Sequence, residues 1–505
     1  MVNYQFTEGT ICAPATIPGT GAISIIRVSG KEALAIADKI IDLKGESLSE
    51  TEGYRLRYGT VFATDGSVLD NVIVSVFRAP HSYTGENSVE ISCHASRFIV
   101  NAILELLVNA GARIAAPGEF TRRAFVNGKM DLAQAEAVAD VIASQSAASH
   151  KVAMNQLKGG FSSELKVLRD KLLKMTSLLE LELDFSEEDV EFASRSELGA
   201  LVNEALSHIG RLTDSFSRGN AIKNGVPVAI VGATNTGKST LMNALLGEDR
   251  AIVSDIAGTT RDTIEEMLNL GGVMFRFIDT AGIRETDEIV EKIGIERTFK
   301  KMDEASIVLG MTDLSRGENS VLADAEYIWD KVNACGAGHE FLLLVNKCDI
   351  DESESVMAGE GHVAGYAGTG FTETGSGAGS AAKTGKMARI EAALHEKGIS
   401  AKLIPISAKT GYGLTVLTEA LAEIGRRITG DTDETLVTNI RHYEALVRAA
   451  TALGRVRDGL QVATLPPDLI AQDLREALYH LGEIVGEIST EEVLGNIFRN
   501  FCVGK

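Results

Sequence analysis

The most constraining feature of this sequence is the segment GATNTGKS at 232–239, which matches the phosphate-loop pattern G-x-x-x-x-G-K-[ST]. It follows the apolar, β-branched run 226–231 and precedes a helix-like run at 239–246, which is the context that the motif requires. Glycines in such a loop let backbone N–H groups turn toward phosphates, and the helix N-terminus adds a favourable dipole. We therefore expect Lys238 to contact the β- and γ-phosphates and Ser239 to bind Mg²⁺. Taken alone, the motif could also be a glycine turn ahead of a helix.

Three further motifs follow in chain order, and each comes directly after a strand-like apolar run. They are DTAG at 279–282, NKCD at 346–349 and SAK at 407–409. We expect Asp279 near Mg²⁺, the Gly282 N–H near the γ-phosphate, and the SAK backbone near guanine O6. The Asp349 carboxylate can accept hydrogen bonds from both N1–H and the 2-amino group of guanine, which adenine does not offer. Four ordered motifs at strand ends predict a GTPase on a mostly parallel, doubly wound sheet.

The predicted nucleotide-binding residues come from these motifs and from the segment 254–260. They are Asn235, Thr236, Gly237, Lys238, Ser239, Thr240, Ser254, Asp255, Ile256, Ala257, Gly258, Thr259, Thr260, Asp279, Thr280, Ala281, Gly282, Asn346, Lys347, Asp349, Ser407, Ala408 and Lys409. Thr260 is the second expected Mg²⁺ ligand, beside Ser239. A Ras-like enzyme has a water-orienting glutamine just after D-x-x-G, but here that position is Ile283. The acidic stretch 287–291 could orient water, although by spacing alone an exposed acidic loop is the better explanation.

The chain divides into four segments by pattern, so we expect a multidomain protein with α/β and helical parts. Residues 1–125 read as an α+β domain, and 126–224 form a first helical segment. Residues 225–428 form the doubly wound α/β domain, with a flexible Gly-, Ser- and Ala-rich insert at 351–388. Residues 429–505 are helical again. The simplest architecture is one helical domain, built from two chain segments, into which the nucleotide-binding domain is inserted.

Composition limits the classes of partner and location. The 505 residues include 49 basic and 70 acidic side chains, for a net charge of −21. A chain this acidic does not coat nucleic acid by bulk electrostatics, so an RNA partner would need a local basic patch or a second protein. No apolar run reaches membrane-spanning length and no signal-peptide pattern is present, so we expect a cytoplasmic protein without a membrane partner. The five cysteines contain no C-x-x-C pair, which favours reduced thiols over a disulfide scaffold or zinc site.

Further stretches, spread along nearly the whole chain, carry a family resemblance. They are IIRVSG at 25–30, YTGENSVEISCHA at 83–95, APGEFTRRAFVNGKMDLAQAEAVADVI at 116–142, SDIAGTTRD at 254–262, IDTAGIRE at 278–285, EKIGIERT at 291–298 and FCVGK at 501–505. Through them the chain resembles the MnmE (TrmE) family of tRNA modification GTPases. A C-[IV]-G-K ending is characteristic of that family.

The resemblance implies how GTP would be hydrolysed. The family uses K⁺ where other GTPases use an arginine finger, and the matching K⁺ ligands are Asn235, Ser254, Ile256 and Thr259. Glu291 matches the family's water-orienting glutamate, so the implied catalytic residues are Glu291, Lys238 and Asp279. A cation placed between the β- and γ-phosphates would stabilise the charge that develops during transfer. Ser254 stands where threonine is commoner in the family. The GTPase domains of a dimer are expected to associate across their nucleotides.

The resemblance also implies a folate site in the N-terminal domain. This domain is similar to the folate-binding domain of the glycine-cleavage aminomethyltransferase, and it is expected to form a homodimer. Arg27, Glu90, Lys129 and Lys505 match the family's contacts to 5,10-methylenetetrahydrofolate or its 5-formyl analogue. The chemistry is reasonable because a carboxylate such as Glu90 can accept two hydrogen bonds from the pterin's amino-pyrimidine edge. Basic side chains suit the carboxylates of the folate's glutamate tail.

The activity that the resemblance implies is addition of a carboxymethylaminomethyl group to C5 of wobble uridine 34 in certain tRNAs. The family works with MnmG (GidA), an FAD- and NADH-using partner, in a heterotetramer. The one-carbon unit comes from tetrahydrofolate and the remainder from glycine. The acidic charge agrees with a division of labour in which the partner holds much of the tRNA. The insert at 351–388 could loosen nucleotide affinity or be inert, and we expect it to be inert.

Two other classes of function share part of these features. A ribosome-assembly GTPase of the Era or Der type has the same nucleotide motifs, but an Era-type protein would carry a KH-like RNA-binding domain with a G-x-x-G loop and basic surroundings. The tail after the nucleotide-binding segment is acidic and helical instead. A non-catalytic scaffold that binds GTP is disfavoured because Lys238, Ser239, Thr260 and Asp279 are all intact.

Overall fold

The structure, a computed structural model, describes residues 9–184, 195–248, 265–278, 304–334, 338–350, 385–430, 434–462, 466–488, 491–499, 501 and 504. The chain forms two compact units. The first unit comprises Met1–Ala143, Val152–Asp214 and Asn439–Lys505, and the second comprises Ser144–Lys151 and Ser215–Thr438.

The strands fall into two sheets. In chain order they are β1 Ile11–Pro14, β2 Ile23–Ser29, β3 Ile41–Asp42, β4 Arg55–Phe62, β5 Val68–Phe77, β6 Ser88–His94, β7 Arg113–Ile114, β8 Val226–Gly232, β9 Glu266–Leu270, β10 Val273–Ile278, β11 Ile307–Asp313, β12 Glu340–Asn346 and β13 Lys402–Pro405.

The helices connect and cover these sheets or build the helical part of the first unit. In chain order they are α1 Ala33–Ile40, α2 Arg97–Asn109, α3 Glu119–Val126, α4 Leu132–Ala143, α5 Ala147–Leu157, α6 Gly160–Asp184, α7 Arg195–Asp214, α8 Phe216–Asn224, α9 Lys238–Glu248, α10 Glu318–Ala334, α11 Gly385–Glu396, α12 Leu414–Thr429, α13 Ile440–Gln461, α14 Pro467–Val485 and α15 Glu491–Arg499.

The sheet of the first unit has the order β3-β4-β5-β6-β2-β1-β7 and is antiparallel except for the β1–β7 pair. Side chains alternate between its faces because successive residues of a strand point in opposite directions. The buried face carries Val74, Val76 and Ile91 and packs with α1 and α2. On the opposite face Tyr58 pairs with Ile73, and both side chains are exposed. One face of this sheet therefore presents apolar side chains that its own helices do not cover.

The helical part of the first unit comes from both ends of the chain. The predicted apolar stripe on α6 is confirmed, because its six members are all buried: Phe161, Leu165, Leu168, Leu172, Met175 and Leu179. Helix α13 packs against α7 and α14, and α14 packs against α6. Segments that lie before and after the second unit in sequence thus share one core, which is how an inserted architecture forms.

The second unit contains the sheet β13-β12-β11-β8-β10-β9, in which every neighbouring pair is parallel except β9–β10. Buried side chains cover both of its faces, with Leu309 in one core cluster and Val308 in the other. The predicted doubly wound α/β fold is therefore confirmed. Strand β8 lies between β10 and β11, so the strand order reverses there, and the loop after β8 lies at the crevice where such sheets bind ligands.

The predicted insert at 351–388 falls largely outside the described residues. Helix α11 begins at Gly385, so residues 385–388 are helical and not part of a loop. In the parts of the chain that the structure describes, no helix is both long and apolar enough to cross a bilayer.

Candidate functional site

The phosphate loop connects β8 to α9 and has the backbone geometry that its glycines predict. Gly237 has φ +99°, and a Cβ there would lie 2.3 Å from Asn346 Nδ2, so no side chain fits. Asn235 has φ +63°, a left-handed conformation that asparagine adopts more readily than most residues. The loop is therefore held in a shape that only a small set of residues can adopt.

Lys238 lies across the phosphate loop. Its Nζ donates to the carbonyl oxygens of Gly232 and Ala233, both at 2.8 Å. Burial lowers the pKa of this ammonium group, because the charged form is penalised away from water. Negative phosphate oxygens at this position would offset that penalty, so the group is suited to an anionic ligand.

A single buried side chain joins three of the predicted nucleotide motifs. Asn346 Nδ2 donates to the Thr236 carbonyl oxygen at 2.7 Å, and the Ala408 N–H donates to Asn346 Oδ1 at 3.0 Å. Because β8, β12 and β13 are parallel members of one sheet, their following loops meet at the same edge. The first, third and fourth motifs are thus brought together around Asn346.

The remaining predicted nucleotide residues have mixed placements. Ser239 and Thr240 lie in the first turn of α9, and Asp349 lies in a short 3-10 turn, Cys348–Ile350. Ser407 is buried and Lys409 is exposed. The segments 254–260 and 279–282 and all of Glu291 lie outside the described residues. Their roles in Mg²⁺, K⁺ and water binding remain predictions.

Sequence reasoning missed Asp313, which is nearly fully buried at the end of β11 and pairs with Lys347 at 2.6 Å. Lys347 itself has φ +65°. No motif marks Asp313. A signal was nevertheless present, because Asp313 ends a buried strand-like run that lies between two runs already assigned to nucleotide motifs.

A second candidate site lies on the sheet of the first unit. Arg27 on β2 and Glu90 on β6 are directly opposite each other, and Arg27 Nε and Nη2 each lie 2.9 Å from Glu90 Oε1. The guanidinium lies 5.2 Å from the ring centre of Tyr83 and 5.6 Å from that of Phe120. Burial raises the pKa of the Tyr83 hydroxyl, against smaller lowering contributions from its hydrogen bond with Thr121 and from Arg27. The arrangement combines an ion pair with flat aromatic walls.

A segment distant in sequence reaches this second site. Arg27 Nη1 lies 3.5 Å from the carbonyl oxygen of Gly504. Gly504 has φ +98°, and a Cβ there would lie 2.0 Å from the Pro14 carbonyl oxygen, so this close approach requires glycine. Lys505, predicted to reach the same site, lies outside the described residues.

Lys129 lies against the connection between β5 and β6. Its Nζ donates to the Pro80 carbonyl oxygen at 3.0 Å, and its aliphatic chain lies beside Gly85. Tyr83 belongs to the same connection. The structure thus brings Arg27 and Glu90 together directly, and it places Lys129 on the connection that supplies the aromatic wall.

Comparisons with known proteins cover nearly the whole chain. A family model described as "GTP-binding protein TrmE N-terminus" matches residues 10–129, and one described as "MnmE helical domain" matches 132–502. A protein named "tRNA modification GTPase MnmE" from Parabacteroides distasonis is 48% identical over 499 residues, which is 98% of this chain and 100% of the relative.

Other relatives carry the same name. The Bacteroides fragilis protein is 48% identical over 99% of this chain and 100% of its own length, and the Flavobacterium johnsoniae protein is 46% identical over the same shares. A solved structure of Aquifex aeolicus Era is 23% identical, with a TM-score of 0.27 over 45% of this chain and 66% of that chain. That likeness is too slight to support a conclusion.

Proposed function

The chain belongs to the family of the tRNA modification GTPase MnmE, and from that premise we propose that it hydrolyses GTP as part of a tRNA modification reaction. The observation that carries the nucleotide part is Asn346, whose amide ties the phosphate loop to the SAK loop through Thr236 and Ala408. Such a connection fixes the distance between the site for phosphates and the site for a guanine base. Asp349, two residues after Lys347, would read the guanine edge.

The residues present fit a nucleotide with Mg²⁺. The phosphate loop leaves no room for a Cβ at Gly237, and the half-buried Lys238 ammonium is suited to phosphate oxygens. We propose that the Ser239 and Thr260 hydroxyls bind Mg²⁺, with Asp279 nearby, since oxygen ligands are those that this ion prefers. Mg²⁺ would neutralise charge on the β- and γ-phosphates, and Lys238 would stabilise the charge that develops between them.

A K⁺ ion is proposed as the second cation. Asn235 carries a side-chain oxygen from a left-handed position of the phosphate loop, and Ser254, Ile256 and Thr259 complete the proposed ligand set. Glu291 is proposed to orient the attacking water. GTP turnover is expected to be faster in K⁺ than in Na⁺ at equal ionic strength, and Glu291→Ala should abolish hydrolysis while GTP still binds. Equal rates in the two salts would contradict the proposed K⁺ site. Unchanged hydrolysis by the variant would contradict the proposed role of Glu291.

The second site is proposed to bind 5,10-methylenetetrahydrofolate or its 5-formyl analogue. Glu90 offers a carboxylate for the amino-pyrimidine edge of the pterin, and the half-buried Tyr83 offers an aromatic face beside Arg27. Phe120 is fully buried and supports Arg27 from the core side. We propose that Lys129 and Lys505 contact the glutamate carboxylates. When bound, the folate would supply the one-carbon unit.

We further propose that the protein is a homodimer. The uncovered face of the first unit's sheet exposes Leu56, Tyr58 and Ile73 beside the row that carries Glu90 and Arg27. Burying these side chains against a second copy would stabilise the dimer by removing apolar surface from water.

The proposed product is tRNA with a carboxymethylaminomethyl group on C5 of wobble uridine 34. The chain's net charge of −21 disfavours extensive phosphate contacts of its own. We therefore propose an FAD-dependent MnmG partner, joined in a heterotetramer, that holds much of the tRNA. No observation favours an Era- or Der-like role, because family models assign residues 10–129 and 132–502 to the TrmE and MnmE domains.

The decisive experiment is nucleoside mass spectrometry of tRNA from cells that lack this protein. Loss of the carboxymethylaminomethyl group from wobble uridine is expected, with recovery on re-expression of the wild-type chain. Arg27→Ala and Lys238→Ala should each fail to restore the group, through folate binding and GTP binding respectively. An unchanged nucleoside profile in the deletion strain would contradict the proposed substrate while leaving GTP hydrolysis to be measured separately.

A further inference from the structure

The turn that follows β11 lies between two nucleotide-binding loops but belongs to none of the four sequence motifs. In the sheet, β11 lies between β8 and β12, with Met311 opposite Gly232 and Asp313 opposite Asn346. The chain then forms a 3-10 turn, Leu314–Arg316, before α10. Because the three strands are parallel, this turn emerges between the phosphate loop and the NKCD loop.

Asp313 uses both of its carboxylate oxygens. Oδ1 accepts from the Ser315 N–H at 2.9 Å and from its hydroxyl at 2.6 Å, while Oδ2 accepts from Lys347 Nζ at 2.6 Å. Burial alone would raise the pKa of this carboxyl, but hydrogen bonds from Lys347 and Ser315 outweigh burial and lower it. Asp313 is therefore an ionised group that shapes its own turn and fixes a residue of the NKCD loop.

Lys347 is held in an unusual state. Its φ of +65° is uncommon for a residue with a long side chain, and its ammonium group is anchored by Asp313. Asp349, the proposed reader of the guanine edge, follows two residues later. The Asp313–Lys347 pair thus acts on the conformation of the segment that would select the base.

Arg316, at the end of the same turn, reaches the other loop. Its Nη2 donates to the Thr234 carbonyl oxygen at 3.0 Å. Thr234 directly precedes Asn235, the left-handed residue of the phosphate loop. A turn of four residues therefore contacts the proposed base-selecting loop through Asp313 and the phosphate loop through Arg316.

We propose that residues 313–316 form a nucleotide brace, in which Asp313 positions Lys347 for guanine recognition and Arg316 positions the phosphate loop for hydrolysis. The inference rests on the proposed GTPase function. It makes Asp313 and Arg316 positioning residues and predicts that substituting each one changes a different measured quantity. Asp313 acts on affinity and base preference, and Arg316 acts on the rate.

The main test is Asp313→Asn in the full-length chain. Asparagine keeps the size of the side chain and can still accept from Ser315, but it removes the charge that holds Lys347. Because a hydrogen bond between charged groups is worth more than a neutral one, we expect GDP affinity to fall about tenfold to a hundredfold. ATP affinity should change less than twofold, so the preference for guanine over adenine decreases. The rate at saturating GTP should stay within about twofold of wild type.

A double-mutant cycle separates this role from a general loss of structure. Lys347→Met alone should weaken GDP binding to a similar degree, and the double variant should bind no more weakly than either single variant, since both remove one interaction. Full multiplication of the two single effects would contradict the proposal. So would an Asp313→Asn variant with wild-type GDP affinity and base preference.

Arg316→Gln tests the second contact. We expect the rate at saturating GTP to fall about threefold to tenfold, with GDP affinity within twofold of wild type. An unchanged rate would overturn the role of Arg316. Glu326→Gln is the matched control, because Glu326 pairs with Lys397 in the same unit, away from both loops, and it should alter neither quantity. A wild-type chain that binds GDP but does not hydrolyse GTP would contradict the proposed hydrolysis and the role of Arg316. The GDP affinities of Asp313→Asn and Lys347→Met would then still decide the role of Asp313.

Discussion

Two arginine–glutamate pairs in the first unit differ in the number of hydrogen bonds that they make and in how exposed the glutamate is. Arg441 bonds both carboxylate oxygens of Glu136 at 3.0 Å and also donates to the carbonyl oxygens of Glu483 and Ile484. Glu136 also lies 2.6 Å from the His442 ring, and these two side chains are only 9% and 2% exposed. Arg27 and Glu90 are 17% and 24% exposed, and the one backbone oxygen bonded to Arg27 in the described residues is that of Gly504, at 3.5 Å.

The difference separates a structural pair from a candidate binding pair. The Glu136 cluster joins α4 to the first turn of α13 and the end of α14, and Phe161 of α6 stacks on His442. A charge cluster whose buried carboxylate is bonded at both oxygens stabilises one arrangement of helices, and removing one member leaves uncompensated charge. In the described residues, His442 Nδ1 has no hydrogen-bond partner. Within the described part of the chain, Arg27 bonds one carboxylate oxygen of Glu90 and the half-buried Tyr83 ring borders the pair, so a ligand can still compete for it. The number of partners and the exposure of the carboxylate distinguish the two pairs, since Glu136 is 9% and Glu90 24% exposed. The two arginines are similar, at 22% for Arg441 and 17% for Arg27.

The largest expected effect is on stability. Glu136→Ala should lower the free energy of unfolding by about 3–5 kcal/mol, because the half-buried Arg441 and the buried His442 lose the carboxylate that bonds them. Glu90→Ala should lower it by about 1 kcal/mol or less, since water still solvates part of that pair. Urea unfolding of both variants beside wild type measures the contrast. Equal losses would mean that the two pairs do not differ as described.

Lowering the pH should reduce the stability that the Glu136 carboxylate contributes. Burial alone would raise the pKa of Glu136, but the charge and hydrogen bonds of His442 and Arg441 outweigh burial and lower it from 4.5 to about 2. A lowered folded-state pKa stabilises the protein above the unfolded value of 4.5, and that contribution is lost as the pH falls toward 2. The stability difference between wild type and Glu136→Gln is therefore expected to shrink from pH 5 to pH 2. A constant difference across that range, measured by urea unfolding, would contradict the linkage.

Substitution of Glu90, which should affect stability little, is expected to have a large effect on ligand binding. Glu90→Gln is expected to weaken binding of 5-formyltetrahydrofolate about tenfold to a hundredfold, because it removes a charge-assisted hydrogen-bond acceptor. Isothermal titration calorimetry measures the change. Glu52→Gln, which alters an exposed pair with Arg55, is the matched control and should bind like wild type. Retained affinity in the Glu90 variant would exclude this pair from the site.

A smaller effect is expected at Gly504. Alanine there would place Cβ against the Pro14 carbonyl oxygen and strain a left-handed backbone, so the segment should move away from Arg27. We expect folate affinity to fall about threefold to tenfold, with the free energy of unfolding changed by about 1 kcal/mol or less. Calorimetry and urea unfolding of Gly504→Ala give the two values. Unchanged folate affinity would mean that this segment does not help to form the site.

The sheet of the second unit was largely predictable because its strands and motifs are recognisable within short stretches of sequence. The strands that precede the four motifs are mostly apolar runs, and each motif directly follows its strand, so the shared edge of a parallel sheet determines which loops meet. The antiparallel edge strand β9 mixes polar and apolar residues and was not predicted. The stripe on α6 was predictable for the same reason, since helical periodicity is visible within one segment. The start of α11 at Gly385 was not, because the glycine-rich composition of the preceding stretch extends into the helix.

Contacts between distant segments could not be predicted in this way. Glu136 and Arg441 are 305 positions apart, and neither has a local pattern that marks it as charged and buried. The pairing of Arg27 with Glu90 depends on the register of β2 and β6, which periodicity does not specify. Family resemblance named Arg27 and Glu90 as site residues, but it did not identify Asp313 or the Glu136 cluster.

The contact between Arg27 and Gly504 spans 477 positions of the chain, and this has a consequence for synthesis. Strand β2 and its neighbours can pair while the ribosome is still translating the second unit, since domains fold as units from the N-terminal side. The carbonyl group that reaches Arg27 is made only after almost five hundred further residues. A nascent chain therefore holds the sheet without this contact, and the proposed second site stays incomplete until the segment around residue 504 has left the ribosome.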